Sequence, residues 1–332
     1  MRITVVGSGA WGTALAISLC KNGHDVTLWA RSAERAEQMN MTRQNPRLPQ
    51  INLPNELAVS ADPACVAESK LVVIASPSHA IRQVCAQIAA YLDEDALMVS
   101  VTKGIEPGTL LRMSQVVEEE TKRPVVALTG PSHAEELAQS MPTGCVAASP
   151  NQRYAELVQD VFMSDCFRIY TSPDIVGAEL GGALKNVIAM CAGVTDGMGY
   201  GDNIKAMLMT RGLTEIARLG VAMGANRDTF AGLAGVGDLI VTCTSPHSRN
   251  RRAGILIGQG KTPDEAREQI GAVVEGYYAA KSAGELAEKY GVDMPIVKAA
   301  CAVLYENLTT AQVVETLLNR SKKAESEDSG WN

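Results

Sequence analysis

Three glycines near the start of the chain constrain its fold more than any other feature of the sequence. The segment GSGAWG supplies Gly7, Gly9 and Gly12 in the spacing G-x-G-x-x-G, after the apolar run RITVV and before the helically spaced segment AWGTALAISLCKNG. In a strand–turn–helix unit such glycines permit a tight turn, a close backbone approach to a pyrophosphate and close packing of helix against strand. The helix N-terminus also favours the anion. We therefore predict a phosphate-binding loop at residues 7–12, rather than a glycine-rich turn without a ligand.

The first half of the chain alternates between short apolar runs and helical patterns. Apolar runs occur at residues 2–7, 25–30, 71–76, 96–101 and 125–130, and the segments TGCVAAS and FRIYTS add two extended stretches. Uninterrupted apolar strands that alternate with helices indicate a mostly parallel sheet with both faces covered. With the glycine loop, this pattern predicts an α/β fold: a Rossmann-type, doubly wound dinucleotide-binding domain in residues 1–173.

The second half of the chain has a different texture. From residue 174 onward apolar residues recur at helical spacing, as in IKAMLMTRGLTEIARLGVAMG and AAKSAGELAEKYG. We predict an all-helical substrate domain at 174–320. The final segment, SKKAESEDSGWN, is polar, and we expect residues 321–332 to form a disordered tail.

Composition excludes several classes of partner. The net charge of −7 argues against a nucleic-acid partner. We expect no membrane span, because no apolar run looks long and clean enough, and no secretory leader precedes the first strand pattern. The eight cysteines are scattered without a C-x-x-C pair, and the four histidines show no ligand spacing. These features predict a cytoplasmic protein with reduced cysteines and no metal site.

The end of the second predicted strand indicates which dinucleotide is preferred. A site selective for NAD usually places an acid there, which binds the ribose 2′-hydroxyl. This chain has Arg31 at that point and no acid before Glu34. An arginine suits the 2′-phosphate, so we expect NADPH/NADP to be preferred over NADH/NAD. The alternative, a solvated loop arginine, stays open at this stage.

Polar side chains follow two of the predicted strands. Lys103 comes just after the fourth strand, and Gly130 and Ser132 follow the fifth. Ligands of open parallel sheets bind outside the carboxyl ends of the strands. These residues are therefore candidates for a substrate site, although a lone loop lysine is often only solvated.

The helical half carries its own polar cluster in the segment LAGVGDLIVTCTSPHSRNRRAG. Asp238 follows a glycine-rich turn, and Arg249 and Asn250 stand at a predicted helix start. Arginine beside the backbone amides of a helix N-terminus suits an anion. For Arg251 and Arg252 we favour a solvated helix end instead.

A lysine within an apolar helix is the most unusual feature of this half. Lys185 and Asn186 lie in GGALKNVIAMCAGV, where an unpaired ammonium costs several kcal/mol or loses its proton. A lysine facing a cleft from such a helix can stabilise charge on a carbonyl oxygen and deliver a proton to it. Asn186 can orient substrate or lysine without adding charge. The alternative without a functional role is a lysine whose ammonium group reaches solvent at the edge of the helix.

Six segments in order along the chain resemble those of NAD(P)-dependent glycerol-3-phosphate dehydrogenases of the bacterial soluble type. Thr129 and Val236 stand where serine and leucine are also familiar, and neither departure removes a side chain that the chemistry needs. The resemblance extends to about residue 318. The matching segments are GSGAWGTALA, VTKGIE, TGPSHAEEL, GGALKNVIA, GVGDLIVTCTSPHSRNRR and VVEGY.

The resemblance implies roles for individual residues. Lys185 would be the acid–base residue, with Lys103 and Asp238 as further catalytic residues. Beyond the three glycines, the implied cofactor contacts are Ala10, Trp11, Arg31, Lys103, Ala134, Arg249, Val273 and Glu275. The substrate contacts are Lys103, Gly130, Ser132, Lys185, Asn186, Asp238, Ser248, Arg249 and Asn250.

The activity implied is interconversion of sn-glycerol 3-phosphate and dihydroxyacetone phosphate by hydride transfer with NAD(P)(H), which supplies glycerol 3-phosphate for glycerophospholipid synthesis. A small phosphate ester would be the substrate, and a homodimer is the expected assembly. Two alternatives stay open. A related hydroxyacid dehydrogenase would share the first domain and a helix-borne lysine, and a non-catalytic NAD(P)H sensor would keep only the dinucleotide site.

Overall fold

The computed structural model describes residues 1–322, 324 and 325, and its first half is built on one sheet. In the described residues this sheet has eight strands. They are β1 (Arg2–Val6), β2 (Asp25–Trp29), β3 (Ala58–Ser60), β4 (Leu71–Ile74), β5 (Leu97–Ser100), β6 (Val125–Thr129), β7 (Thr143–Ala148) and β8 (Phe167–Ser172).

Helices cover both faces of the sheet. Alternate residues of each central strand point to opposite faces, so that Val5 packs with α1 and α6 while Val6 packs with α3 and α4. This two-sided burial is why the strands read as continuous apolar runs. The helices of this half are α1 (Ala10–Lys21), α2 (Ala33–Thr42), α3 (Ile81–Ile88), α4 (Met113–Thr121), α5 (Ala134–Ala138) and α6 (Gln152–Phe162).

The strand order is β3-β2-β1-β4-β5-β6-β7-β8. The chain reverses its direction of travel between β1 and β4, which creates a crevice at their carboxyl ends, the usual site of a dinucleotide. The predicted doubly wound, mostly parallel sheet is confirmed. The exception is β7, which pairs antiparallel with β6. Strand β3 was not predicted, because its three residues are too few to show a periodic pattern.

The second half of the described chain is helical, as predicted. A π-helical turn at Leu233–Gly237 leads directly into one of its helices. The helices are α7 (Ile175–Gly197), α8 (Asp202–Ala222), α9 (Asp238–Thr244), α10 (Arg249–Gly258), α11 (Pro263–Ile270), α12 (Glu275–Tyr290), α13 (Pro295–Tyr305) and α14 (Thr310–Leu318). The predicted tail, 321–332, lies largely outside the described residues.

Helix α7 is the centre of the helical half. Its 23 residues have the length and apolarity to cross a membrane, which corrects the expectation that no segment would. However, 83% of the most apolar 18-residue stretch of this helix is buried inside the protein, so its apolar composition reflects its place in the core. Leu184 and Val187 pack there against α8 and α12.

Glycines allow α10 to pack closely against α7. A Cβ at Gly254 would lie 2.0 Å from the carbonyl oxygen of Met190, and a Cβ at Gly193 would lie 2.0 Å from that of Arg251. Backbone therefore meets backbone at the crossing. The crossing fixes the start of α10, with Arg249 and Asn250, relative to α7.

A buried ion pair joins the two halves. The Glu179 carboxylate on α7 accepts hydrogen bonds from the backbone amide and hydroxyl of Ser114 in the first turn of α4, and it pairs with the guanidinium of Arg112. Its negative charge suits the amide groups at that helix N-terminus. This contact holds α7 against the sheet domain.

We expect Gly254→Ala to destabilise the protein by about 1–3 kcal/mol, the usual cost of overpacking, although alanine is the better helix former. Thermal unfolding measures the effect. Gly201→Ala is the matched control, because a Cβ at Gly201 would meet no atom within 4 Å. Equal melting temperatures for the two variants would contradict close packing at the crossing.

Candidate functional site

Two lysines and one carboxylate meet where the halves of the chain come together. Lys103, just after β5, donates a hydrogen bond from Nζ to Oδ2 of Asp238 over 2.7 Å. Lys185, on α7, donates from its Nζ to Oδ1 of the same carboxylate. Asp238 is 1% exposed and begins α9. One buried aspartate thus holds two ammonium groups, each on its own oxygen.

The charges of this trio do not cancel, because two ammonium groups share one carboxylate. Burial lowers the pKa of Lys185, Asp238 opposes this effect, and the Lys103 charge adds to it, so that the pKa is about 8. Burial therefore outweighs the carboxylate, a balance that the sequence alone left open. Lys185 can exchange a proton near neutral pH, and the excess positive charge favours an anion or a developing oxyanion.

Local geometry explains how Lys185 is held. Its Nζ also donates to the hydroxyl of Thr242 over 2.7 Å, and that hydroxyl donates to the carbonyl oxygen of Asp238 over 2.6 Å. Thr242 belongs to the polar segment LAGVGDLIVTCTSPHSRNRRAG, but it was not predicted to be a site residue. The sequence did contain a signal for it: Thr242 lies four residues after Asp238, and residues four apart on a helix share a face.

The ends of β5 and β6 bring Lys103 to the same place. Its Nζ donates to the carbonyl oxygen of Gly130 over 2.9 Å and to the hydroxyl of Ser132 over 3.2 Å. The adjacent strands β5 and β6 run parallel, so their carboxyl ends lie at one edge of the sheet. The structure therefore brings Lys103, Gly130 and Ser132 together with the α7 lysine.

The start of α10 adds residues on the other side of the cleft. Ser248 caps this helix, because its hydroxyl accepts a hydrogen bond from the amide of Arg251. Arg249 is the first residue of the helix; part of the residue is exposed, but burial of its guanidinium lowers the pKa of this group, and Glu275 opposes that effect. Asn250 is buried, and its Nδ2 donates to Oδ1 of Asn186 over 2.8 Å. The two asparagines thus bond to each other beside Lys185.

The glycine loop fits a pyrophosphate. Gly7 has a φ of +125°, and a Cβ there would lie 2.6 Å from the carbonyl oxygen of Ala75 in the neighbouring strand connection. At Gly12 a Cβ would lie 2.1 Å from the carbonyl oxygen of Gly7. At Gly9, in contrast, a Cβ would meet nothing within 4 Å, so this residue borders open space at the start of α1. These are the three requirements of the motif: a turn, close packing and room for a ligand.

A buried asparagine anchors the next loop to the glycine loop. Asn45 is fully buried, and its Nδ2 donates to the carbonyl oxygen of Ser8 over 3.1 Å and to the hydroxyl of Thr13 over 2.7 Å. Nothing in the local sequence pattern singled out this residue. It keeps the rim of the dinucleotide crevice in place.

Arg31 lies at the edge of the same crevice. Strands β1 and β2 are adjacent and parallel, with Val6 opposite Trp29. Arg31, two residues after β2, therefore stands beside the glycine loop that follows β1. It is exposed, and Ser32 next to it caps α2.

The remaining cofactor candidates lie around this crevice and across from it. Ala10 and Trp11 open α1, where the Trp11 ring packs edge-on against Phe167 with centroids 6.4 Å apart. Ala134 opens α5, which packs on α1. Val273 precedes α12, and the carboxylate of Glu275, its first residue, accepts hydrogen bonds from Ser78 of the sheet domain.

The expectation that Arg251 forms a solvated helix end is wrong. Its guanidinium donates to Asp196 on α7 over 2.8 Å and is only 19% exposed. The pairing partner lies 55 residues earlier in the chain, so helix-end composition could not reveal it. Arg252 is exposed as expected. All eight cysteines are free thiols, and no group of three or more possible metal ligands occurs among the residues described.

Comparison with known proteins assigns both halves of the chain to one family. Residues 2–155 match the model of the NAD-dependent glycerol-3-phosphate dehydrogenase N-terminus, and residues 174–315 match that of its C-terminus.

Two curated relatives are similar over nearly their whole length. The chain is 50% identical over 326 residues to glycerol-3-phosphate dehydrogenase (NAD(P)+) of Thermoanaerobacter sp. (strain X514), covering 98% of this chain and 99% of that one. It is 52% identical over 330 residues to the enzyme of the same name from Clostridium acetobutylicum, covering 97% and 98%. A crystal structure of glycerol-3-phosphate dehydrogenase from Coxiella burnetii superposes with a TM-score of 0.92 at 35% identity, over 96% of this chain and 99% of that one.

Proposed function

The chain belongs to the NAD-dependent glycerol-3-phosphate dehydrogenase family, and we propose from this premise that it interconverts sn-glycerol 3-phosphate and dihydroxyacetone phosphate with NAD(P)(H). The observation that carries the proposal is the buried trio of Lys103, Lys185 and Asp238, which the hydrogen bond between Asn186 and Asn250 connects to the start of α10. The trio provides a proton and a net positive charge, and the crevice provides room for the cofactor.

We assign the proton transfer to Lys185. A nicotinamide cofactor, when bound, would supply or accept the hydride at the second carbon of the substrate. Reduction leaves negative charge on the attached oxygen, and the Lys185 ammonium stabilises that charge and donates its proton there. In the reverse direction neutral Lys185 accepts the hydroxyl proton. Its pKa of about 8 suits both directions.

Lys103 and Asp238 set up this acid. Asp238 fixes the position of Lys185 and keeps enough of it protonated despite burial. Lys103 holds the other carboxylate oxygen and contributes a second positive charge beside the reacting oxygen. Gly130 and Ser132 fix Lys103 in turn, which supports their assignment to the substrate site.

The phosphate of the substrate is assigned to the start of α10. The guanidinium of Arg249 is partly desolvated and stays charged, and the helix N-terminus also favours negative charge. Ser248 and Asn250 flank Arg249. A planar guanidinium can hold two phosphate oxygens at once, and binding energy from this remote group orients the reacting carbon.

For the cofactor, we propose that NADPH is preferred. Arg31 stands beside the glycine loop where an acid would bind the 2′-hydroxyl of NADH, and its charge suits the 2′-phosphate. Ala10, Trp11, Ala134, Val273 and Glu275 are assigned to the cofactor cleft. We also propose that the chain divides into two domains after residue 173. Residues 1–173 bind the dinucleotide, and residues 174–320 provide the acid and the phosphate site.

The cellular setting is also a proposal. We infer a cytoplasmic homodimer that supplies glycerol 3-phosphate for glycerophospholipid synthesis. The free thiols suit a reducing compartment, and twofold dimers are the commonest assembly of soluble enzymes. Sedimentation equilibrium measures the oligomeric state.

The experiment that tests the function follows NADPH absorbance in the near ultraviolet with dihydroxyacetone phosphate as substrate. We expect steady oxidation and formation of sn-glycerol 3-phosphate. Binding of NADPH without turnover would favour a sensor, and turnover only with a 2-keto acid would favour a hydroxyacid dehydrogenase.

Replacing the acid tests the chemistry. We expect Lys185→Met to lower turnover by roughly 10²–10⁴, the usual contribution of a general acid, while the melting temperature holds or rises because a buried charge is removed. In the wild type, kcat/KM for reduction should fall above pH 8, because reduction needs the ammonium form, and kcat/KM for oxidation should rise up to pH 8. A variant that unfolds but keeps its activity per folded molecule would make Lys185 a structural residue.

Replacing the arginine at the start of α10 tests the phosphate site. We expect the wild type to reduce dihydroxyacetone phosphate and scarcely to reduce dihydroxyacetone. Efficiency with the phosphate ester should fall in the order wild type, Arg249→Lys, Arg249→Ala, with alanine roughly 10–100-fold down, the worth of a charge-assisted hydrogen bond. Exposed Arg252→Ala is the control.

NADPH affinity of the Arg249 variants must be measured separately, because Arg249 is also a candidate cofactor contact. The phosphate assignment is wrong if alanine weakens NADPH binding alone and leaves efficiency at saturating NADPH unchanged.

Reversing the charge beside the glycine loop tests cofactor choice. We expect Arg31→Asp to raise the KM for NADPH by ~10-fold or more and to leave that for NADH nearly unchanged, because only NADPH carries the 2′-phosphate. Arg153→Asp, at an exposed arginine in the first turn of α6, controls for the change in net charge. Equal losses with both cofactors would show that Arg31 does not bind the 2′-phosphate.

A further inference from the structure

A serine of the sheet domain donates two hydrogen bonds to the first residue of α12. The backbone amide of Ser78 donates to Oε1 of Glu275 over 3.2 Å, and its hydroxyl donates to Oε2 over 2.5 Å. Ser78 lies just beyond β4, 197 residues away in sequence. Both oxygens of the carboxylate are therefore held by one residue of the sheet domain.

Further hydrogen bonds connect the Ser78–Glu275 contact to Asn186, the residue beside Lys185. The amide of Gly276, next in α12, donates to Oδ1 of Asn250 over 2.9 Å. The Nδ2 of Asn250 then donates to Oδ1 of Asn186 over 2.8 Å. The positioning chain, Ser78–Glu275–Gly276–Asn250–Asn186, therefore runs from the cofactor domain through the start of α12 to α7.

Close packing leaves this chain little freedom. Ser78 is 2% exposed, and a Cβ at Gly104 would lie 2.4 Å from the Cβ of Ser78. A Cβ at Gly276 would lie 2.9 Å from the carbonyl oxygen of Asn186. Displacement at one end therefore has to move the other, because the space around each residue is already filled.

We propose that Ser78 is a positioning residue for the reaction. It touches neither the substrate nor the reacting atoms. By fixing the start of α12 it sets Asn250 and Asn186, and through them the orientation of the substrate carbonyl relative to Lys185. This inference rests on the proposed function, which places Asn250 and Asn186 at the substrate.

The kinetic test compares Ser78→Ala with Ser282→Ala. Ser282 is also buried and lies on α12, and its hydroxyl donates to the carbonyl oxygen of Ile105 in the sheet domain over 3.5 Å, away from the positioning chain. We expect Ser78→Ala to lower kcat at saturating NADPH by about tenfold, with KM for dihydroxyacetone phosphate changed less than about threefold, because small misplacements of a reactant reduce rate. Ser282→Ala should leave both unchanged.

A double-mutant cycle tests the route. In an Asn186→Ala background the positioning chain is already broken at its far end, so Ser78→Ala should lower kcat by less than about threefold further. A full tenfold further loss there would overturn the proposal, since Ser78 would then act by another route.

Amide hydrogen exchange gives a readout that needs neither substrate nor cofactor. In the ligand-free protein, exchange at the Gly276 amide should be about tenfold faster in Ser78→Ala than in the wild type or Ser282→Ala, because Ser78 no longer fixes Glu275, the residue next to this amide, and the amide is then held less firmly against Asn250.

Unchanged kcat in Ser78→Ala at saturating NADPH would overturn the proposal, whatever happens to NADPH affinity or melting temperature. A wild type that does not reduce dihydroxyacetone phosphate would instead overturn the proposed function, and unchanged Gly276 exchange would still contradict the positioning chain independently.

Discussion

The structure depends on one buried carboxylate that serves two lysines. Asp238, 1% exposed, holds Lys103 on one oxygen and Lys185 on the other. Taking any one of these charges out of water alone would be costly, so each ammonium needs the carboxylate, and the carboxylate needs at least one ammonium. Because Lys103 follows a strand and the other two lie on helices, the trio also joins the sheet domain to the helical domain at the point where chemistry is proposed.

The two halves contribute different parts of this site. The sheet domain places the glycine loop and Lys103 at the carboxyl ends of its strands, where the reversal between β1 and β4 opens a crevice. The helical domain places Lys185 on its most buried helix and Arg249 at a helix start. The cleft gathers positive charge within a protein whose net charge is −7, which suits a small phosphate ester rather than nucleic acid.

The sequence predicts the parts of this arrangement that are encoded locally. The glycine loop, the central strands and the buried lysine can each be recognised within a short segment of sequence. The order of the six matching segments along the chain carries the family resemblance. Partners distant in sequence were missed: Ser78 with Glu275, and Arg251 with Asp196. A pairing across 55 to 197 residues leaves no local pattern, and the three-residue strand β3 is too short to show one.

The most direct test of the shared carboxylate is a titration of the Lys185 side chain by NMR in the ligand-free protein, compared with Asp238→Asn. Asp238 raises the pKa of Lys185 against burial and Lys103, so its removal should move the titration well below pH 8. The control is Asp196→Asn. Asp196 lies on α7, as Lys185 does, but its carboxylate pairs with Arg251 and Lys205, so this change should leave the pKa of Lys185 near 8. An unchanged or higher pKa in Asp238→Asn would contradict the account, because the lysine would then not depend on the shared carboxylate.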